Sequence, residues 1–111
     1  MELAHIIVDA LEDKKGEDIV LLDIQKAEAF TDYFIICTGT SDRMLDALAE
    51  AVLEAAKNKL DQRGRREGPA MAGWVVLDFG SVVVHLFAPE QRAFYKLEEL
   101  WSRGKVLLRL Q

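Results

Sequence analysis

Trp74-Val75-Val76-Leu77-Asp78-Phe79-Gly80-Ser81-Val82-Val83-Val84-His85-Leu86-Phe87 is the stretch that decides the fold. Gly80-Ser81 separates two runs rich in β-branched and aromatic residues, the pattern of a two-residue β-hairpin over 74–88. Glycine at the first turn position suits a type II′ turn, which needs a positive φ there. That turn sets the register: Phe79 faces Val82, Leu77 faces Val84 and Val75 faces Leu86, so one face is wholly apolar. The opposite face pairs Trp74 with Phe87, Val76 with His85 and Asp78 with Val83. Two readings of this mixed face stand side by side. Large aromatics with a polar group can form a binding hot spot. Large aromatics are also usually well buried, here under a helix with His85 and Asp78 at its margin.

Upstream of the hairpin, Tyr33-Phe34-Ile35-Ile36-Cys37-Thr38 is continuously apolar, which predicts a central strand buried on both faces. Gly39-Thr40-Ser41-Asp42 breaks it and opens the longest helix, with Ser41 as N-cap and Asp42 placed favourably in the helix dipole. Met44, Leu45, Leu48, Val52, Ala55, Ala56 and Leu60 form its buried stripe, to near Arg63-Gly64. Before these elements, Leu3, Ile6, Ile7, Ala10 and Leu11 predict an amphipathic first helix ended by Gly16, and 18–24 reads as a strand. Residues 65–73 read as a loop with room for a short strand. A last helix is expected from Pro89 to about Ser102, with Phe94, Leu97, Leu100 and Trp101 inward. Val106-Leu107-Leu108 is a candidate final strand. The order α-β-β-α-β-β-α gives an α/β fold, a mixed β-sheet flanked by helices.

A chain of 111 residues suits one domain spanning 1–111, since single domains cluster at roughly 100–150 residues. Half the residues are apolar and 30% are charged, ordinary for a globular protein. No apolar run reaches the roughly 18 residues of a membrane helix. The acidic start Met1-Glu2-Leu3-Ala4 lacks the signature of a signal or transit peptide. One cysteine permits no internal disulfide. These features read as a cytoplasmic protein. The net charge of −5 is uneven, with 13 acidic and 6 basic residues in 1–60 (−7) and 6 acidic and 8 basic in 61–111 (+2). Such a chain is ill suited to wrapping nucleic acid.

Catalytic constellations are incomplete. Asp78-Phe79-Gly80 spells a kinase tripeptide without the other kinase motifs. Gly39-Thr40-Ser41 before a helix could bind an anion, and it is similar to the turn of nucleotidyltransferases. Asp78, however, stands alone where those enzymes carry two metal-binding acids. Cys37 lies in the most apolar strand, where an inert thiol is the usual outcome, so pairing with His85 as nucleophile and base is disfavoured. Two histidines and one cysteine make no metal cluster. Arg63, Arg65 and Arg66 read as a solvated basic loop.

Residues 32–42, 74–80, 82–87 and 92–101, with Glu17-Asp18-Ile19 and Glu67-Gly68, resemble the ribosomal silencing factor (RsfS/Iojap) family in order across almost the whole chain. Ser81 departs from the aspartate often found there, and serine supports the same turn. The resemblance implies a nucleotidyltransferase-like fold without transferase activity and without cofactor or metal. It also implies binding to large-subunit ribosomal protein fourteen at the intersubunit face, a block to subunit association, and repression of translation under nutrient limitation. Organellar relatives assist large-subunit assembly, and family members are often homodimers in isolation. The contact residues it suggests are Trp74, His85, Phe87, Arg92 and Tyr95. The rival class is a nucleotide-binding or nucleotidyltransferase-like enzyme using Gly39–Ser41 and Asp78.

Overall fold

Tyr33–Thr38, the most apolar segment, occupies the middle of the sheet. The computed structural model describes residues 2–25, 31–96 and 105–110. Its elements are α1 (Glu2–Asp13), β1 (Glu17–Asp23), β2 (Tyr33–Thr38), α2 (Asp42–Leu60), β3 (Arg65–Glu67), a 3-10 turn (Ala70–Ala72), β4 (Trp74–Asp78), β5 (Val82–Phe87), α3 (Pro89–Tyr95) and β6 (Lys105–Leu110). The six strands lie in the order β3-β4-β5-β2-β1-β6. Only β2 and β5 run parallel; the other neighbours are antiparallel. The sheet is mixed, as expected, and gains an edge strand at each side from the two segments whose strand character was weakest in the sequence.

The hairpin register is the one the turn dictates: Trp74 opposite Phe87, Val75 opposite Leu86, Val76 opposite His85, Leu77 opposite Val84 and Asp78 opposite Val83. Gly80 has φ +84°, as the turn requires. Its closure is tighter than a type II′ turn, because Ser81 N–H donates to the Phe79 carbonyl at 3.1 Å. Asp78 Oδ1 accepts from Gly80 N–H at 2.8 Å and holds the tip in that shape.

Alternation along the strands sorts side chains into two apolar layers. On one side Ile19, Leu21, Ile35, Cys37, Val75, Leu77, Val82, Val84 and Leu86 pack with Leu3, Ala4, Ile7, Val8 and Leu11 of α1 and Leu45, Leu48, Ala49, Val52 and Ala56 of α2. On the other, Val20, Leu22, Ile24, Phe34, Ile36, Val83 and Phe87 form a smaller cluster bordered by Trp74 and Val76. Both helices present the expected stripes with a slight rotation. Ala4 and Val8 are buried in α1, whereas Ile6 and Ala10 are only half-buried.

Ser41 caps α2: its Oγ accepts from Met44 N–H at 3.1 Å. The helix stops at Leu60, earlier than expected, because Asp61 turns left-handed (φ +52°). Asp61 N–H then reaches Lys57 O, and Gln62 N–H reaches Ala56 O. Helix α3 also departs from expectation. It spans Pro89–Tyr95, and Phe94 points outward with 78% of its surface exposed. Arg92 is the buried residue of α3, and a residue two positions on lies some 200° around a helix, on its outer side. Leu97, Leu100 and Trp101 lie outside the described residues.

Candidate partner-binding surface

The mixed face of the hairpin is an aromatic layer with a buried floor and an open top. Phe87, fully buried, lies under Trp74, with ring centroids 4.9 Å apart and planes 30° apart. Tyr95 reaches over from α3 to within 4.6 Å of the Trp74 ring. Phe94 meets Tyr95 edge-on at 5.1 Å. Trp74 is half-buried and Tyr95 is 42% exposed, so with Phe94 they leave three aromatic rings open on one side. Met71, on the 3-10 turn just before Trp74, is also 82% exposed. That turn abuts α3. Gly73 has φ +77°, and a Cβ there would come within 2.5 Å of the Gln91 side chain.

His85 sits beneath this surface. Its Nδ1 accepts the Trp74 Nε1–H bond at 3.1 Å, and its ring meets Phe34 edge-on at 4.7 Å. Accepting at Nδ1 places the neutral ring's proton on Nε2, which is buried with no hydrogen-bond partner among the described residues. Burial pushes its pKa down from 6.5 to about 4. The unfolded chain therefore takes up the His85 proton first as pH falls. The stability this neutral histidine supports is complete above about pH 6.5 and is lost as pH drops towards 4, by roughly 3 kcal/mol in total. Denaturant titrations across that interval are expected to show this slope in the parent chain and to lose most of it in His85→Gln. An equal slope in both would place the titration elsewhere.

Arg92 is not on the open side. It is 8% exposed and points under α3, where one guanidinium nitrogen donates to the Asp18 carbonyl (2.6 Å) and to Thr38 Oγ1 (2.8 Å). The second approaches Asp18 Oδ2 at 3.4 Å. Of the five residues singled out in the sequence, Trp74 and Tyr95 are thus open, while His85, Phe87 and Arg92 support them from within. Phe94 was read as core, and Met71 stood unremarked in a loop. Helical spacing from Arg92 would have found the first; nothing local marks the second.

The residues considered for chemistry do not converge. Ser41 Oγ is occupied by its cap bond, and Asp78 by the turn it forms. Cys37 lies on the helix-covered face and His85 on the other, with Cys37 opposite Leu86 and Ile36 opposite His85. Burial pushes the Cys37 thiol up to about 12, far from a working thiolate. Among the described residues, no three His, Cys, Asp or Glu side chains group as metal ligands. No helix among them is long and apolar enough to cross a membrane. The basic loop is also more structured than expected. Arg66 pairs with Asp46 of α2 at 2.6 Å, and Arg65 with Glu67 at 3.3 Å.

A sequence model of the family described as "Ribosomal silencing factor during starvation" (RsfS) matches residues 1–109. The chain belongs to the RsfS family. It is 41% identical over 100 residues to ribosomal silencing factor RsfS of Bacillus subtilis, covering 90% of this chain and 85% of that one. It is also 35% identical over 100 residues to the mouse "Mitochondrial assembly of ribosomal large subunit protein 1", covering 87% of this chain and 44% of that longer relative. A crystal structure from Chromobacterium violaceum superposes with a TM-score of 0.86 at 37% identity, over 91% of this chain and 84% of that one. The aromatic layer is therefore a surface of an RsfS-type α/β sheet.

Proposed function

We propose that this chain acts as one domain that binds the large ribosomal subunit and keeps the small subunit from joining it. The docking site is ribosomal protein fourteen at the intersubunit face, and the effect is to repress translation when nutrients are limiting. The open ring set of Trp74, Phe94 and Tyr95, held on a buried His85–Phe87 floor, is the observation that carries this reading. Rigid aromatic area over a well-packed base is the chemistry of a binding hot spot. The net charge of −5 suits a basic ribosomal protein better than naked RNA. Family membership and the mouse relative's name support a ribosomal setting. Binding rather than catalysis is favoured because Ser41 and Asp78 spend their polar atoms on a cap and a turn.

Light scattering of purified subunits tests the proposal directly. Adding the protein to large subunits first is expected to lower the yield of joined ribosomes in a saturable manner. Undiminished joining at saturating protein would sink it. Magnesium-dependent heat on titrating a nucleoside triphosphate would instead favour the enzyme reading.

A further inference from the structure

Asp18 holds a left-handed backbone conformation that few residues other than glycine, asparagine and aspartate adopt. Its φ is +46°, within the left-handed region, and it lies where the β1–β2 register shifts between Glu17 and Val20. Two β1 residues, Asp18 and Ile19, there oppose the single residue Cys37, which makes a β-bulge. Glycine is the usual occupant of a left-handed bulge position; aspartate, like asparagine, tolerates it better than most residues but still carries some strain there. The bulge turns both the Asp18 carbonyl and its carboxylate towards Arg92 of α3, at 2.6 and 3.4 Å. Arg109 of β6 approaches the other carboxylate oxygen at 3.5 Å. One strained residue thus joins two elements that are far apart in sequence. Helix α3 is only seven residues long, too short to hold itself together by helix propensity. Three residues beyond Arg92 it carries Tyr95, the ring that covers Trp74.

We infer that Asp18 is a positioning residue: through Arg92 it fixes α3 so that Tyr95 and Phe94 complete the open aromatic surface with Trp74. The inference rests on the ribosome-binding reading for its functional consequence, and on geometry alone for its structural one. Arg92 then serves the interface from inside rather than by touching the partner. A surface that is assembled only part of the time binds more weakly by that fraction.

Asp18→Gly separates positioning from simple stability, because glycine removes the backbone strain together with the carboxylate. The expected result is a melting temperature close to that of the parent chain. Large-subunit affinity should fall roughly tenfold, as when α3 is docked about a tenth of the time. Cross-relaxation between the Tyr95 and Trp74 rings in solution NMR should weaken in the same variant. Asp18→Asn, which tolerates the left-handed backbone but loses the charge, should shift both readings less and in the same direction. Arg92→Met, which also loses the bonds to the Asp18 carbonyl and Thr38, should lower binding at least as far as Asp18→Gly. If it does not fold, the Asp18 variants decide alone. Parent-like affinity in folded Asp18→Gly overturns the inference, as does unchanged Tyr95–Trp74 cross-relaxation. If the parent chain itself does not bind large subunits, the functional proposal fails separately, and the ring cross-relaxation still judges the clamp.

Discussion

Phe87→Ala is expected to lower the unfolding free energy by about 3–5 kcal/mol, the range for removing a fully buried aromatic side chain. Phe87 has no exposed surface and packs in the layer of Val20, Leu22, Phe34 and Ile36. Its ring is also the floor on which Trp74 stacks at 4.9 Å, with Tyr95 6.3 Å away. Deletion leaves a cavity bounded by strands that cannot move inward without breaking the ladder. Among these are the β2–β5 pairing and the bond from Gly39 N–H to Phe87 O at 2.9 Å. By strand register alone, variants on this face would cost less than Leu77→Ala on the other. Burial removes that difference for Phe87, because a second apolar layer exists beneath the aromatics. Leu77→Ala should cost a similar amount, about 2–5 kcal/mol. Such losses are a large share of a small domain's stability of about 5–15 kcal/mol. Equilibrium urea unfolding of both variants checks the claim. A Phe87→Ala cost below about 1 kcal/mol would mean the layer collapses readily around the gap.

What the sequence made legible follows from how local each determinant is. The hairpin register depends on Gly80-Ser81 and strict alternation, both contained within 74–87, and every strand pair came out as the turn requires. The central position of β2 followed from its unbroken apolar run, and the α2 start from Ser41. Edge strands were faint for a physical reason. Arg65–Glu67 and Lys105–Leu110 carry charges and are largely exposed, so they lack the apolar signature that marks a buried strand. The candidate site was half legible. Composition and face identified Trp74, His85 and Phe87 as neighbours, and the structure brings them together. Which of them is open depends on where α3 lies, and that is fixed by Arg92 reaching Asp18, 74 residues away. No local pattern encodes that contact. The left-handed backbone of Asp18 is equally silent, since the residue reads as an ordinary polar position at a strand's start.

Trp74→Ala is expected to weaken large-subunit binding by about 2 kcal/mol or more, a loss of roughly thirtyfold, as for central aromatic hot spots. Three losses coincide at this position. The open indole area disappears, Tyr95 loses the ring it covers at 4.6 Å, and His85 Nδ1 loses the Trp74 donor. The last matters because Nε2 already lacks a partner among the described residues, so neither ring nitrogen would then have one there. Stability should fall by less than in Phe87→Ala, since Trp74 is half-buried and its removal opens the layer to water rather than leaving a closed void. Trp74→Phe divides the causes. It keeps a ring to stack between Phe87 and Tyr95 but removes the Nε1–H that His85 accepts. A single hydrogen bond of this kind is worth about 1 kcal/mol, so its cost should appear in the melting curve. Affinity should stay near the parent value, because that N–H points inward and offers nothing to a partner. Each variant needs two measurements, a thermal melt and a sedimentation titration with purified large subunits. Parent-like affinity in folded Trp74→Ala would move the docking surface elsewhere on the sheet. An equal loss in Trp74→Phe and Trp74→Ala would assign the effect to the His85 hydrogen bond, and so to the internal order of the layer instead of its open area.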